Sequence, residues 1–304
     1  MALKDLLLSS LPQYCETLPS GKSVCLGPMV VSEEKALLLS KNTSDRLGVL
    51  KTLENIILAT CQDLKKTEFK KLKISDLEYL FLLLRAKSIG EVEGFNLKCP
   101  HTQEDVSIRI DILKDIKTEH KPVNPKIKIS DNLLLVMTEP TVETLFNSPD
   151  YDTTEEGFYK FVALCLKQVQ TRSEIKDCKE LKLDEIIDFI KNLTTQQIKS
   201  VLEYFENVSK TQIIKEYATS DGFTRSITIK GLFNYINFFF EHLDVESLYK
   251  QLFQLKYYHN YEMSEIESMI PWEKTVYVEQ IKEHLNEERN MKYQGIERIM
   301  DAAR

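Results

Sequence analysis

What most narrows the fold of this chain is a succession that occurs twice. Residues 74–113 and 193–233 are about the same length, and each runs helix, turn, strand, polar turn, strand. In the first, Leu77, Leu80, Phe81 and Leu84 recur at helical spacing, and Ser75 with Glu78 has the form of a capping box. The chain then turns at Gly90, and Phe95-Asn96-Leu97-Lys98 and Val106-Ser107-Ile108-Arg109-Ile110 alternate with period two across a polar turn from His101 to Asp105, which predicts a hairpin. In the second, Thr194 and Gln197 cap a helix whose Ile198, Val201, Leu202 and Phe205 share one face. Ile213 to Tyr217 and Ser226 to Ile229 alternate around Ser220-Asp221-Gly222. Residue identity between the stretches is low, so they read either as an internal duplication or as two occurrences of a common unit.

The rest of the chain sorts around these units. The stretch from Leu11 to Met29 contains Pro12, Pro19, Gly21, Gly27 and Pro28, enough helix breakers to predict an extended arm. Ser32-Glu33-Glu34 reads as a helix start, and Leu50, Leu53 and Ile57 follow at helical spacing. Residues 117–126, with Pro122 and Pro125 among charges, form a linker candidate, and Ser148-Pro149-Asp150 a second. Between them Lys126-Ile127-Lys128-Ile129 and the apolar run from Leu133 to Met137 predict strand.

The end reads as helical. Leu232, Phe233, Ile236, Phe239, Phe240 and Leu243 form a wide apolar face, and Leu248, Leu252 and Leu255 a second. Phe238-Phe239-Phe240 is assigned to the core rather than to an interface, because Ile236 and Leu243 share its face. Ser264 with Glu267 starts a short helix, and Pro271 can open the next, running from Trp272 past Leu285. The expectation is an α+β, predominantly α-helical protein. Its parts are an N-terminal arm (1–30), a first helix-hairpin unit (31–125), and a region (126–304) holding a strand, the second unit and C-terminal helices.

Composition removes several functional classes. Nine glycines in 304 residues is about 3%, against roughly 7% on average, which disfavours folds that bring backbone close to phosphates. The 40 Lys+Arg and 47 Asp+Glu give a net charge of −7, with the cations scattered, so no nucleic-acid partner is expected. Residues 1–11 lack a small-residue cleavage site and no later apolar run approaches membrane length, so neither export nor membrane insertion is expected. The six cysteines, Cys15, Cys25, Cys61, Cys99, Cys165 and Cys178, form no CxxC pair and read as buried, reduced thiols rather than disulfides.

Motifs for chemistry are sparse. Pro19-Ser20-Gly21-Lys22-Ser23 ends like a phosphate-binding loop, but Glu16 stands where that loop needs glycine and Gly27-Pro28 blocks the helix that should follow. Cys99-Pro100-His101 offers two zinc-type ligands without a second pair, so a tight turn is preferred to a metal site. The histidines stand apart from any nucleophile signature. No catalytic residue, cofactor, metal or small-molecule substrate is therefore expected. A zinc-dependent or hydrolytic enzyme is the competing reading of another class.

Several segments, in order, resemble the baseplate hub protein family of T-even-like contractile phages. They are Pro19-Ser20-Gly21-Lys22 before Ser32-Glu33-Glu34, and Leu77 to Lys87 running into Ser88-Ile89-Gly90 and Leu97-Lys98-Cys99-Pro100. Further on come Phe189-Ile190-Lys191-Asn192-Leu193-Thr194 before Tyr204-Phe205, and Lys230-Gly231-Leu232 before Phe238-Phe239-Phe240. Last is Met269-Ile270-Pro271-Trp272-Glu273-Lys274, similar to a Met-x-Pro-Trp-Glu-Arg signature. The resemblance implies zinc-ribbon-like hairpins, here degenerate because only Cys99 remains. It also implies a non-enzymatic part in building the baseplate hub, with other hub or tail proteins as partners. The protein is then expected in the host cytoplasm during assembly, and in the virion tail baseplate if retained. A dedicated assembly chaperone that leaves no copy in the particle is the alternative.

The candidate partner-binding residues are the Leu3, Leu7 and Leu11 stripe, Trp272, and Ile296 and Ile299 near the C-terminus. Trp272 reads equally as an interface residue or as one closing the core between two helices. Ile296 and Ile299, with Met300, mark either a partner-binding helix or a fraying end.

Overall fold

The computed structural model describes residues 11–43, 45–119, 123–241 and 243–302. The expected arm is a hairpin, β1 (Tyr14–Thr17) and β2 (Ser23–Leu26), docked on the body rather than extended from it. Its Leu18, Val24 and Leu26 are buried, as is Met29 just beyond. Gly21 takes a positive φ of 88° at the turn, a conformation that disfavours a side chain. The phosphate-loop look-alike is thus only this turn, and Lys22 forms a 2.8 Å ion pair with Glu68. The register sets Cys15 opposite Cys25 with Cα atoms 4.0 Å apart, and the two form a disulfide. This corrects the expectation of six reduced thiols. Sequence spacing showed no CxxC, but a hairpin brings together residues ten apart. Cys61, Cys99, Cys165 and Cys178 are free and buried.

Helices α1 (Val31–Asn42), α2 (Arg46–Thr60) and the short α3 (Lys66–Phe69) lead to α4 (Ile74–Ser88). Twelve of the fifteen α4 residues are buried, among them the polar Ser75, Asp76, Glu78, Arg85 and Ser88 as well as the predicted apolar face. The proposed Ser75–Glu78 capping box does not form. The helix begins after Lys73, which carries Ser75 and Glu78 into the interior. There the Glu78 carboxyl meets the backbone amides of Thr211 and Leu232, and burial pushes its pKa up to about 8. The Thr211 hydroxyl donates to the Ser75 carbonyl at 2.8 Å, and the Tyr235 hydroxyl donates to the Thr211 carbonyl at 2.7 Å. At the other end of α4 the Arg85 guanidinium pairs with Glu93 and donates to the Gly90 carbonyl.

After α4 come β3 (Val92–Lys98) and β4 (Asp105–Asp111), paired as predicted, then α5 (Ile112–Asp115) and β5 (Ile116–Glu119). The strand β5 occupies the start of the predicted linker at 117–126. Beyond it, β6 (Lys126–Ser130) and β7 (Leu133–Met137) form the anticipated strands. Helices α6 (Val142–Asn147) and α7 (Glu155–Cys165) precede β8 (Leu166–Thr171) and β9 (Ile175–Asp177), completing an antiparallel sheet in the order β6-β7-β8-β9. A helical turn at Cys178–Glu180 leads to α8 (Leu183–Lys191) and then α9 (Thr195–Asn207), which has the predicted Thr194–Gln197 box.

The second hairpin, β10 (Lys210–Ala218) and β11 (Thr224–Lys230), takes β5 as a third strand, so a ladder crosses the sequence boundary at residue 125. The tips of the two hairpins also meet. The Ser220 amide donates to Glu104 at 2.9 Å, and the Tyr217 hydroxyl approaches Cys99 Sγ at 3.9 Å.

Helices α10 (Leu232–Phe239), α11 (Val245–His259), α12 (Met263–Ser268) and α13 (Pro271–Ala302) follow. Phe239 and Phe240 are buried, as the core assignment required. The cap of α12 is Glu262 with Glu265, two residues before the predicted Ser264–Glu267 pair. Helix accounts for 51% of the structure and strand for 23%, in small sheets, which makes this an α+β protein. Among the described residues, no helix is long and apolar enough to cross a membrane.

Candidate protein-interaction surface

Helix α11 is two-faced for a reason visible residue by residue. Asp244 caps its start by accepting from the Ser247 amide at 2.7 Å, and Asn260 ends it in the left-handed conformation, φ 54°. Between these ends Leu248, Leu252 and Leu255 are buried. The opposite face carries Tyr249, Phe253 and Tyr257 at intervals of four, with Tyr258 beside them, and these rings are 48%, 64%, 67% and 48% exposed. Phe253 and Tyr257 stack, with centroids 5.6 Å apart and planes inclined by 18°.

Charges frame these rings. Lys250 and Glu246 form a 2.7 Å ion pair within the helix, and the hydrogen bond to Glu246 raises the Lys250 pKa. Lys35 of α1 sits 5.3 Å from the Tyr249 ring centroid and 2.9 Å from Glu267. The Glu267 hydrogen bond holds the Lys35 pKa above its usual value. Isolated exposed apolar residues are ordinary, whereas a row of large aromatic rings on one helix face makes it a candidate interaction surface.

Helix α13 adds a second exposed pair. Pro271 opens it, Ile270 and Val278 are buried, and Trp272 and Val276, one turn apart, are 48% and 44% exposed. Trp272 is thus about half exposed at the surface. Lys274, two residues on, points inward instead and pairs with Glu34.

The other candidate residues fall differently. Leu11 is half-buried at the start of the described chain, while Leu3 and Leu7 lie outside the described residues. Ile296 and Ile299 belong to the α13 backbone, with side chains outside the description. Sequence reasoning found the buried leucine row of α11 but missed the aromatic row one residue along, whose signal was the spacing 249, 253, 257.

Cys99 is buried at the β3–β4 tip, and His101 is exposed. Among the described residues, no group of three or more His, Cys, Asp or Glu is placed to hold a metal ion.

The architecture is α+β: buried polar links join its units, and a run of rings is exposed on α11. The family model described as T4 bacteriophage base plate protein matches residues 11–237, well over half of the chain, and the chain belongs to that family. It is a phage baseplate protein, with other baseplate or tail proteins as its expected company. No curated protein and no solved structure matches it. The aromatic face begins at Tyr249, C-terminal to the matched segment.

Proposed function

We propose that this baseplate protein is a subunit of the central hub of a contractile tail. In this reading it acts without catalysis, by packing apolar surfaces against neighbouring hub or tail proteins while the baseplate is built in the host cytoplasm. The observation that carries the contact-based part is the exposed ring row of α11, joined by Trp272 on α13. Aromatic side chains of this kind supply interface anchors because they bury large area at little entropic cost. The hub assignment is supported by the ordered segments from Pro19 to Lys274 that resemble hub proteins.

Quantitative mass spectrometry of purified virions, combined with cross-linking of isolated baseplates, tests this. Stoichiometric protein cross-linked to central subunits is the expected result. Cross-links confined to the baseplate periphery would remove the hub assignment. Complete absence from particles would instead make the protein an assembly chaperone.

A further inference from the structure

The exposed face of α11 has the dimensions and charge pattern of one half of a symmetric interface. A fully buried aromatic side chain contributes roughly 150–250 Å². With four rings about half to two-thirds exposed, α11 leaves on the order of 450 Å² of ring surface in solvent. A standard interface buries about 800 Å² per partner, a little over half of it apolar, so the ring face alone matches the apolar share of one side. Between the rings runs a shallow groove of about 430 Å³ lined by Glu246, Tyr249, Lys250, Phe253, Gln254 and Tyr258. At its edge Lys35 of α1 lies over Tyr249 and is itself neutralised by Glu267 of α12.

We propose that the occupant of this face is the same face of a second copy, the two α11 helices packing antiparallel about a twofold axis near Phe253 and Gln254. The proposal deepens the contact-based reading above and rests on it. A twofold axis uses one patch twice, so no second complementary surface is needed. With the axis at that point, Lys250 lies opposite Tyr257 of the second copy, an ammonium against a ring face, and Tyr249 lies opposite Tyr258. Parallel packing would set Lys250 against Lys250 and Glu246 against Glu246, which like-charge repulsion disfavours. The internal Glu246–Lys250 pair leaves the face without net charge, so it does not repel its own copy.

Sedimentation of the full chain from low to high micromolar concentration, with wild type, Phe253→Glu and Gln254→Cys, is the test. Wild type should dimerise. F253E should weaken association by roughly thirtyfold or more, the effect of disabling a central anchor, with an unchanged circular dichroism spectrum because Phe253 is exposed. Gln254→Cys should give a covalent dimer with a short bismaleimide. Wild type that stays monomeric throughout, F253E that dimerises like wild type, or Q254C that fails to cross-link would each overturn the proposal. If wild type is monomeric and F253E is lost from baseplates, α11 serves a different subunit: the dimer is then refuted and the contact-based function stands. Absence of wild type from virions would remove the subunit reading without affecting the sedimentation result.

Discussion

Glu34 and Lys274, 240 residues apart in the chain, meet in an ion pair of 2.8 Å whose side chains are only 2% and 3% exposed. The pair fixes the first turns of α1 and α13 against each other, and so sets the position from which Trp272 faces solvent. Glu34 belongs to the acidic helix start Ser32-Glu33-Glu34, whose other member, Glu33, accepts from the Val30 amide as a cap. Adjacent acids thus have different tasks, one at a helix terminus and one inside the protein.

Removing one partner of a buried pair leaves the other charge without compensation, at a cost of about 3–5 kcal/mol. Lys274→Ala and Glu34→Ala should each lower stability on that scale in urea unfolding. The double variant Glu34→Leu/Lys274→Met should lie much closer to wild type, since no lone charge remains. Equal losses for single and double variants would contradict this account.

Glu78 predicts a pH dependence of definite sign. Its folded pKa is about 8, while an unfolded glutamate ionises near its ordinary value of about 4.3. Between these values the folded state holds a proton that the unfolded state has released, so its contribution to stability is present at low pH and is lost as pH rises towards 8. Glu78→Gln keeps the shape without the charge. It should flatten the decline between about pH 5 and 8, measured by urea midpoints across that range, whereas Glu78→Ala should destabilise at every pH.

The Cys15–Cys25 link closes a short loop, and its loss should cost about 2–3 kcal/mol. Cys15→Ser/Cys25→Ser, or wild type under reductant, should melt at lower temperature. Alkylation in denaturant should count four thiols before reduction and six after, because the other four cysteines are free. Six thiols in oxidised, purified protein would exclude the bond.

Trp272 offers a separation of stability from assembly. Being exposed, it should tolerate Trp272→Ala within about 0.5 kcal/mol while incorporation of the protein into baseplates falls. A large loss of melting temperature would instead assign Trp272 to the core.

Much of the secondary structure could be read directly from residue order. The hairpins at Phe95 and Ile213, the Thr194–Gln197 box and the buried Phe239 and Phe240 all follow from periodicity and local hydrogen bonding, which depend on residues a few positions apart. Ser75 and Glu78 show where such reasoning fails. The spacing of a capping box was present, but Lys73 ended the preceding segment and tertiary packing took both side chains inward. The ring row of α11 was missed for a related reason: periodicity marks two rows of large residues one position apart, and only the neighbouring helices select which row they cover.

Residue order by itself determined the helix-and-hairpin grammar, its repetition and the family, because helical and strand periods, turns and caps are encoded locally. Tertiary structure alone decided that Cys15 meets Cys25, that β5 joins the second hairpin, that Glu34 finds Lys274 and that the rings of α11 stay in water. Each of those outcomes depends on which surfaces exclude solvent once distant segments have packed, and burial is a property of the assembled fold.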